Sequence, residues 1–283
     1  MNKTTIEWTD YTWNPVTGCH KVSPGCKNCY AETMNIRFGK GRSFRDVQIH
    51  HDRLSQPIKM RKKLHGKKVF VCDVSDLFHE SVPDEFISEV FGIMWVLPKT
   101  IFQVLTKRPE RALQWAKKYE LEKLKCKNIW IGVSVEDQQR ADERIPLLLQ
   151  IPAAVRFLSC EPLLGEIDLM KSLREIDYNI TRNKRIDWLI VGGESGHGAR
   201  PMNPDWVRAL RNQCNAFNVP FLFKQWGHYA PLSSKGFFCI DETNSQQHES
   251  HSDHTEGMVW FEKRGKSKTG NLLDGVQHLN FPK

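Results

Sequence analysis

The sequence of 283 residues lacks any long apolar run, and this absence excludes several classes of protein. None of its apolar stretches approaches the roughly 20 residues that are needed to cross a bilayer. The opening stretch MNKTTIEWTDYTW lacks the apolar core of a secretory signal. No sequence repeat of about 20 to 50 residues is present, which argues against a solenoid. We therefore expect a cytoplasmic protein that makes no membrane contact.

Disulfide bonds are a second feature that we expect to be absent, because thiols stay reduced in the cytosol. Three of the eight cysteines, Cys19, Cys26 and Cys29, fall within eleven positions with the spacing C-x6-C-x2-C. A tight cysteine cluster in a cytosolic protein indicates a metal site or a catalytic site. The remaining cysteines are scattered singly and are expected to be small buried hydrophobic residues; they are Cys72, Cys126, Cys160, Cys214 and Cys239.

A fourth clustered thiol is missing, and two kinds of metal site compete to explain the three that are present. A structural zinc ion requires four closed ligands. No second C-x-x-C is present, and His20 is poorly placed to reach the ion that its neighbour Cys19 would bind. A [4Fe–4S] cluster that is held by three cysteines keeps one iron open, as a reactive cluster requires. The cysteine spacing alone does not decide between the two, but with the barrel-like context described below we favour an iron–sulfur cluster on Cys19, Cys26 and Cys29, with zinc as the alternative.

Positive charge is in excess, with a formal net charge of +8 and an isoelectric point near 9.0. Much of this excess lies in residues 39–68, where ten lysines and arginines face only Asp46 and Asp52. One interpretation of this basic segment is a solvated loop and helix. The other is a surface for phosphate backbones, because clustered positive charge gives sequence-independent affinity for nucleic acid.

Strands and helices are predicted to alternate from residue 68 onward. The strands are predicted at 69–74, 101–106, 128–134, 155–160 and 187–193, with a last strand that ends near residue 226. The helices are predicted at 83–97, 109–124, 136–150 and 204–217. Nearly continuous apolar strands that alternate with helices indicate a parallel sheet. The predicted fold is of the α/β class, a partial or full (β/α) barrel, and an open doubly wound sheet is the alternative.

The barrel is predicted to span residues 1–230, with the basic segment as an insertion, and residues 231–283 form a C-terminal extension. Residues 241–256, DETNSQQHESHSDHTE, are polar and of low complexity, which predicts a mobile loop. The histidines at positions 248, 251 and 254 have no apolar residues around them to fix a geometry. We therefore assign no metal site to them.

Polar residues follow each predicted strand, at the end where parallel barrels carry their active sites. Helix capping explains the serines and aspartates among them, but not Lys107, Arg108, Glu161 or Glu194. The cysteine segment is predicted to follow an initial strand within residues 11–16 and to lead into a helix at 30–38, which places its thiols over the same edge. The sequence thus predicts a polar pocket for a charged ligand, with these residues at the strand ends: Ser75, Asp76, Thr106, Lys107, Arg108, Ser134, Glu136, Asp137, Ser159, Cys160, Glu161, Gly192, Gly193, Glu194 and Ser195.

The clustered cysteines, which end in C-x2-C-Tyr-Ala before a (β/α) barrel, resemble the cluster loop of radical S-adenosylmethionine (SAM) enzymes. The blocks WNPVTGC, PGCKNCYAE, LTKRPER, FLSCEPLLG, VGGESG, FKQWG and GNLLDG, spread over residues 7–282, are together similar to the phage and prophage three-Cys-motif family. That family is regarded as radical-SAM-like. The spacing C-x6-C-x2-C departs from the commonest C-x3-C-x2-C by its longer first loop.

The resemblance implies that SAM binds the open iron through its amino and carboxylate groups, and that side chains at the strand ends hold the rest of the molecule. The spore photoproduct lyase branch of these enzymes repairs DNA and uses a serine, a Thr-Lys pair and a serine after successive strands. By similarity these roles fall on Ser75, Lys107 and Ser134. Lys107 is expected to pair with the SAM carboxylate, Ser134 and Glu136 to face the ribose, and Asp73 or Asp76 to meet the amino group, while Glu161 completes the pocket.

The reaction that the resemblance implies is the reductive cleavage of SAM to methionine and a 5′-deoxyadenosyl radical, which abstracts hydrogen from a substrate. It requires a reductant such as flavodoxin or ferredoxin, and the basic charge favours a nucleic acid or nucleotide as the substrate. Cys160 is a candidate second hydrogen donor, with a buried structural cysteine as the alternative. The rival function, of a different class, is a zinc-stabilised nucleic-acid-binding module without catalysis.

Overall fold

The structure is a computed structural model, and it describes residues 1–174, 185–231, 237–240, 247–248 and 259–282. Two 3-10 turns, Pro24–Cys26 and Leu121–Leu124, accompany the regular elements. The strands of the described ranges are β1 (Asn2–Lys3), β2 (Tyr11–Trp13), β3 (Val16–Thr17), β4 (Gln48–Ile49), β5 (Lys68–Val71), β6 (Ile101–Thr106), β7 (Ile129–Ser134), β8 (Val155–Cys160), β9 (Trp188–Gly192), β10 (Phe221–Gln225), β11 (Tyr229–Pro231), β12 (Phe237–Ile240), β13 (Gln247–His248), β14 (Val259–Lys263), β15 (Leu272–Leu273) and β16 (Val276–Gln277).

Helices connect most of these strands. Those that follow β5, β6, β7 and β9 are long enough to cover a strand, whereas the others have nine residues or fewer. The helices are α1 (Tyr30–Phe38), α2 (His51–Leu54), α3 (Gln56–Lys59), α4 (Arg61–Leu64), α5 (Asp84–Trp95), α6 (Pro109–Lys118), α7 (Gln138–Leu148), α8 (Met170–Arg174), α9 (Pro204–Ala216) and α10 (Lys266–Thr269). In the described part of the chain, no helix is both long enough and apolar enough to span a membrane.

The main sheet has the strand order β1-β2-β5-β6-β7-β8-β9-β10. β1 is antiparallel to β2, and every later neighbour is parallel. The register pairs Thr106 with Val133 and Ser134 with Ser159, so the carboxyl ends of neighbouring strands lie along one edge. We call this the carboxyl edge of the sheet.

The two faces of the sheet carry different side chains, because successive residues of a strand point to opposite faces. One face packs against the helices, where Val104, Ile131 and Leu158 join a large buried cluster. The opposite, inner face is covered at its centre by an aromatic cluster. Its large members are Trp8, Phe70, Trp130, Phe157 and Trp188.

The sheet does not close into a complete barrel within the described residues. The outer edge of β10 meets the C-terminal segment at a bridge between Leu222 and Leu279. Phe281 of this segment lies 5.2 Å from the ring of Trp188, and Lys68 Nζ lies 4.6 Å above the ring of Phe281. The strands follow their sequence order across the sheet, whereas a doubly wound sheet reverses that order. The prediction of a partial (β/α) barrel is therefore confirmed.

Several predicted boundaries coincide with the structure, among them 101–106 for β6, 155–160 for β8 and 30–38 for α1. The predicted helix 109–124 is wrong in its second half, since α6 ends at Lys118. Glu120 adopts a left-handed conformation with φ of 49°, which interrupts the helix before the 3-10 turn Leu121–Leu124.

The basic segment 39–68 is folded against the sheet. Trp13 Nε1 donates a hydrogen bond to the carbonyl of Arg53 at 2.9 Å, and Leu64 is completely buried. In the C-terminal extension, β11, β14, β12 and β13 form a four-stranded sheet and β15 pairs with β16. The predicted mobile loop at 241–256 lies outside the described residues apart from 247–248.

Candidate functional site

The cysteine segment lies over the carboxyl edge of the sheet. At its start, Gly18 forms a parallel β-bridge with Ser75, which follows β5. At its end, Cys29 immediately precedes α1, and the hydroxyl of Tyr30 donates a hydrogen bond to the carbonyl of Asp73. Both ends of the segment are thus attached to the loop that follows β5.

Cys19 lies beside a buried ion pair. The guanidinium of Arg108, which is only 6% exposed, donates to Cys19 Sγ at 3.7 Å and pairs with Asp76 at 3.1 Å. The hydroxyl of Thr106 donates to the same carboxylate at 2.8 Å. Asp76, a predicted cofactor-binding residue, is therefore occupied by protein partners and serves to hold Arg108.

Lys107, Ser134 and Glu136, which the sequence predicts to bind the cofactor, lie together although they come from two strand ends. Lys107 Nζ lies 3.2 Å from Ser134 Oγ and 3.8 Å from Glu136 Oε1. Glu136 is completely buried, and its second oxygen accepts a hydrogen bond from Arg144 at 2.9 Å. Lys107 is the member of this group that reaches solvent, with 21% of its side chain exposed.

The same group contacts the cysteine segment. The hydroxyl of Ser23 donates to Glu136, and Ser23 Oγ lies 3.7 Å from Cys26 Sγ. Between these two residues, a methyl group on Gly25 would overlap the side chain of Glu136. Glycine is therefore required at position 25, because only a residue without Cβ lets the backbone approach so closely.

The charge of Glu136 follows from its partners. Burial alone would raise the pKa of this carboxyl, but Lys107, Arg144 and the hydrogen bond from Ser23 outweigh it and hold the pKa below its usual value. Glu136 is therefore ionised at neutral pH. An ionised carboxylate beside an ammonium group makes this part of the edge suitable for binding a zwitterion.

The two cysteines near the strand ends differ in acidity. Burial and the nearby Asp76 raise the pKa of Cys19 to about 11, and Arg108 offsets only part of this rise. Burial also opposes ionisation of Cys26, but Lys107 and hydrogen bonds from Val22 and Ser23 prevail and lower its pKa. Because the thiolate is the form that binds metal, Cys26 is the readier ligand of the two.

A third attachment joins the cysteine segment to the loop after β9. Glu194, which is 5% exposed, accepts hydrogen bonds from Arg200 Nη2 at 2.6 Å and from Asn28 Nδ2 at 2.9 Å. Arg200 Nη2 also donates to the carbonyl of Pro24 at 3.0 Å. Glu194 is among the residues predicted from the sequence, whereas Arg200 and Asn28 are not, since nothing in their local sequence signals a contact over more than 160 positions.

The remaining predicted site residues lie at the same edge with different surroundings. The Ser75 hydroxyl donates to the carbonyl of Val16 at 2.8 Å. Glu161 pairs with Lys224 at 2.8 Å, and Ser159 donates to it at 3.4 Å. Their neighbour Cys160 belongs to the buried cluster on the helix-facing side of the sheet and has no exposed surface. This is the position of a structural cysteine, and burial raises its pKa well above the usual range.

The groups that could bind an iron–sulfur cluster are the thiols of Cys19, Cys26 and Cys29. Three thiols on one segment over the carboxyl edge suit such a cluster in kind and in location. Among the described residues, however, no three side chains of His, Cys, Asp or Glu stand close enough together to bind a metal ion. Holding a cluster on these thiols therefore requires the segment to bring its sulfurs together. Coupling of metal binding to local folding is common in small metal sites.

Two buried oxygens at this edge suit a polar ligand. These oxygens are Oδ1 of Asn14, the residue after β2, and Oε1 of Gln225, the last residue of β10. Neither oxygen accepts a hydrogen bond from a described residue. Asn14 Nδ2 is already committed to Asp73 at 2.6 Å, and Gln225 Nε2 to the carbonyl of Gly193 at 3.0 Å. Buried polar atoms without partners are rare, so both oxygens mark places where a ligand donor would be stabilised.

Comparison of the sequence with known families identifies one that spans the chain. The family described as "Protein of unknown function (DUF5131)" matches residues 3–282, and the chain belongs to this family. No curated protein matches the sequence.

Solved structures of spore photoproduct lyase are similar in fold at low sequence identity. A double mutant with bound AdoMet and dinucleoside spore photoproduct has a TM-score of 0.47 at 11% identity, covering 75% of this chain and 62% of that one. A point mutant of the enzyme has a TM-score of 0.49 at 12% identity, covering 93% and 71%. The enzyme complexed with dinucleoside spore photoproduct has a TM-score of 0.48 at 12% identity over the same shares. The chain thus spans about 62% of the length of the first of these structures.

Proposed function

We propose that this member of the DUF5131 family is a radical SAM enzyme that acts on a nucleic acid or nucleotide. Cys19, Cys26 and Cys29 are assigned as the ligands of a [4Fe–4S] cluster, as the phage three-Cys-motif resemblance implies. SAM is assigned to the space between the cysteine segment and the carboxyl edge. A one-electron reductant such as flavodoxin or ferredoxin completes the system.

The observation that carries this proposal is the double contact of Glu136. This buried carboxylate contacts Lys107, whose ammonium also reaches Ser134, on one side and Ser23 of the cysteine segment on the other. The groups assigned to SAM and the loop assigned to the cluster are therefore one connected structure. A cofactor that bridges a cluster and the strand ends requires this proximity.

Each side chain has a role that follows from its surroundings. The partly exposed ammonium of Lys107 binds the carboxylate of SAM, and the buried Glu136, 3.8 Å away, orients that ammonium. Ser134 faces the ribose, and Glu161, held by Lys224, closes the far side of the pocket. Ser75 and Asp76 act indirectly, since their side chains fix the cysteine segment and Arg108.

Asp73 is the carboxylate that we assign to the amino group of SAM. It accepts a hydrogen bond from Asn14 at 2.6 Å, and burial raises its pKa, which indicates a site where a cationic partner would be favourable. When bound, the reduced cluster would supply the electron that cleaves SAM to methionine and a 5′-deoxyadenosyl radical. The protein holds the reactants and excludes water around them.

The substrate class rests on charge. The net charge of +8 and the ten basic residues of segment 39–68 favour a polyanion over a neutral metabolite. This segment lies directly between α1, which leaves the cysteine segment, and β5, whose end carries Ser75. Its first part contacts the cysteine segment, since the backbone N–H of Cys19 donates to the carbonyl of Phe44, so a phosphate backbone bound by the exposed Arg42 and Arg45 would lie near the carboxyl edge.

The decisive experiment is anaerobic purification followed by metal analysis and a visible spectrum. We expect brown protein with about four irons per chain, which cleaves SAM to 5′-deoxyadenosine once it is reduced. Colourless protein with one zinc per chain would refute the proposal and favour a zinc-stabilised nucleic-acid-binding module. Protein that binds the cluster but does not cleave SAM would show that turnover has been lost.

A further inference from the structure

Arg108 is placed so that its guanidinium donates to the start of the cysteine segment on one side and to carboxylates that follow β5 on the other. Nη1 lies 3.7 Å from Cys19 Sγ, and Nη2 lies 3.3 Å from the carbonyl oxygen of His20. Both contacts reach the cysteine segment across 88 or more positions of the chain. The guanidinium therefore ties Cys19 to the end of β6.

The other side of the guanidinium is anchored just as firmly. Nη1 donates to Asp76 Oδ2 at 3.1 Å, and Nε donates to Glu80 Oε1 at 2.8 Å. Asp76 is itself held by the hydroxyl of Thr106 at 2.8 Å and by the backbone N–H of Lys107 at 3.1 Å. Because these partners belong to two adjacent strand ends, the position of Arg108 is set by the sheet and not by the flexible segment.

Only arginine satisfies this arrangement. Its planar guanidinium presents five N–H donors in a fixed fork, whereas the ammonium of lysine is a single point charge. The acceptors of Arg108 lie in the cysteine segment, at the end of β5 and in the loop after it, so one point charge does not reach them together. With 6% exposure, the side chain also keeps its charge near the sulfur without screening by bulk water.

A hydrogen bond to a cysteine sulfur changes the electronic properties of the cluster that the sulfur holds. Hydrogen bonds to sulfur and net charge near an iron–sulfur cluster help to set its reduction potential. Reduction adds a negative charge, so a nearby guanidinium stabilises the reduced form. Loss of that donor would make the cluster harder to reduce.

We propose that Arg108 is a positioning residue for Cys19 and that its N–H donation to this sulfur raises the reduction potential of the cluster. This inference rests on the proposed function. It adds a residue that neither the cysteine motif nor the predicted SAM contacts contain. It also gives a reason for the buried guanidinium of Arg108 beside Cys19. Arg108 precedes α6, but its side chain makes no hydrogen bond that caps this helix.

The test compares Arg108→Lys and Arg108→Met with the wild-type holoprotein, by iron content and by anaerobic redox titration. Arg108→Lys is expected to retain iron and to lower the equilibrium constant for reduction about tenfold, which corresponds to about 59 mV for one electron. Arg108→Met is expected to lose much of its iron, since Asp76 is then left buried without its cation. Glu80→Gln is the matched control, because its exposed side chain contacts Arg108 only at Nε.

The outcomes separate this inference from the proposed function. Wild-type protein without iron would overturn both. Wild-type and Arg108→Lys proteins with the same iron content and the same potential would overturn the role of Arg108 alone. If both variants fail to fold, wild-type protein labelled with 15N-arginine replaces them. Hyperfine coupling of an arginine nitrogen to the reduced cluster is then expected, and its absence overturns the inference.

Discussion

The two ends of the same parallel strands carry opposite chemistry. On β7 the inner face bears Trp130 near the start and Ser134 at the end, and on β8 it bears Phe157 and then Ser159. The amino-terminal half of the inner face is an aromatic cluster, whereas the carboxyl edge is a network of ion pairs. The strands therefore bury apolar surface at their amino-terminal ends and present polar groups at their carboxyl ends.

The two ends of the strands contribute differently to the stability of the fold. The ring of Trp188 lies 5.8 Å from the rings of both Trp130 and Phe157, and such packing stabilises the fold directly. At the carboxyl edge, Glu136 and Glu194 are buried with cations, and the cost of desolvating them offsets much of the attraction. We therefore expect substitutions at the aromatic end to have the larger effect on stability, and those at the carboxyl edge to change stability less and ligand binding more.

The largest effect is expected at the cysteines. Cys26→Ala removes a thiol whose pKa is lowered beside Lys107, and we expect it to abolish cluster binding without unfolding the protein. Iron per chain and the visible spectrum after anaerobic purification are the measurements. Cys214→Ala is the control, since Cys214 is buried in the helix-side cluster and should leave the iron content unchanged. Full iron in Cys26→Ala would remove this residue from the ligand set.

The opposite result is expected for the aromatic end. Trp188→Ala should lower the free energy of unfolding by about 3 to 5 kcal/mol, because it leaves a large cavity among four rings. Iron per folded chain should stay at the wild-type value. Trp95→Ala removes the same side chain from a half-exposed position and should cost far less. A large loss of iron in folded Trp188→Ala protein would show that the two ends are not independent.

A smaller effect is expected where the backbones of β9 and β10 meet. A methyl group on Gly193 would overlap the carbonyl oxygen of Trp226, so Gly193→Ala should destabilise the protein by about 1 to 3 kcal/mol. Gly92→Ala provides the control, since its position in α5 has open space and alanine is the better helix former. Urea unfolding of the two variants measures the difference. If Gly193→Ala and Gly92→Ala were equally stable, the backbones at Gly193 and Trp226 would be able to move apart at little cost.

The smallest effect concerns pH. Burial would raise the pKa of Glu194, but Arg200 and Asn28 lower it below its ordinary value of 4.5. A carboxyl whose pKa is lower in the folded state contributes stability that is present above the unfolded pKa and is lost as pH falls through the folded pKa. Glu194→Gln should therefore cost about 1 kcal/mol at pH 7, and this cost should shrink as the pH falls below 4.5 and through the folded pKa.

The measurement for this prediction is urea unfolding of wild type and Glu194→Gln at pH 7 and at a series of values below pH 4.5. Glu110→Gln, at an exposed position of α6, serves as the matched control. A Glu194→Gln variant with the pH dependence of the wild type would contradict the ion pair with Arg200.

Much of the fold was predictable because its signals are local. Short apolar runs such as IFQVLT and VRFLSC predict the strands β6 and β8, and the amphipathic segment before VRFLSC predicts α7. The exceptions have physical causes, as at Glu120, where a left-handed residue ends α6 early. No pattern in the sequence indicates that the C-terminal segment pairs with β10 and sends Phe281 against Trp188.

The residues of the candidate site could be predicted from the sequence, but the hydrogen bonds and ion pairs between them could not. Strand-end position identified Lys107, Ser134 and Glu136, because parallel strands deliver their carboxyl ends to one edge. The alternation of side chains along β8 also determines that Ser159 faces the interior and Cys160 faces the helices. Which carboxylate pairs with which cation could not be predicted, since each choice depends on distances between loops that are far apart in sequence.

The sequence by itself determined where most of the parallel strands lie along the chain, the polar character of their ends and the three thiols before them, since each follows from residue type and spacing. Only the tertiary structure decided that Arg108 holds Cys19, that Glu136 reaches Ser23 and that Arg200 and Glu194 fasten the segment at Pro24 and Asn28. The reason is that a buried charge is stable only with a specific partner within hydrogen-bonding distance. That partner is fixed by how the loops pack over the sheet.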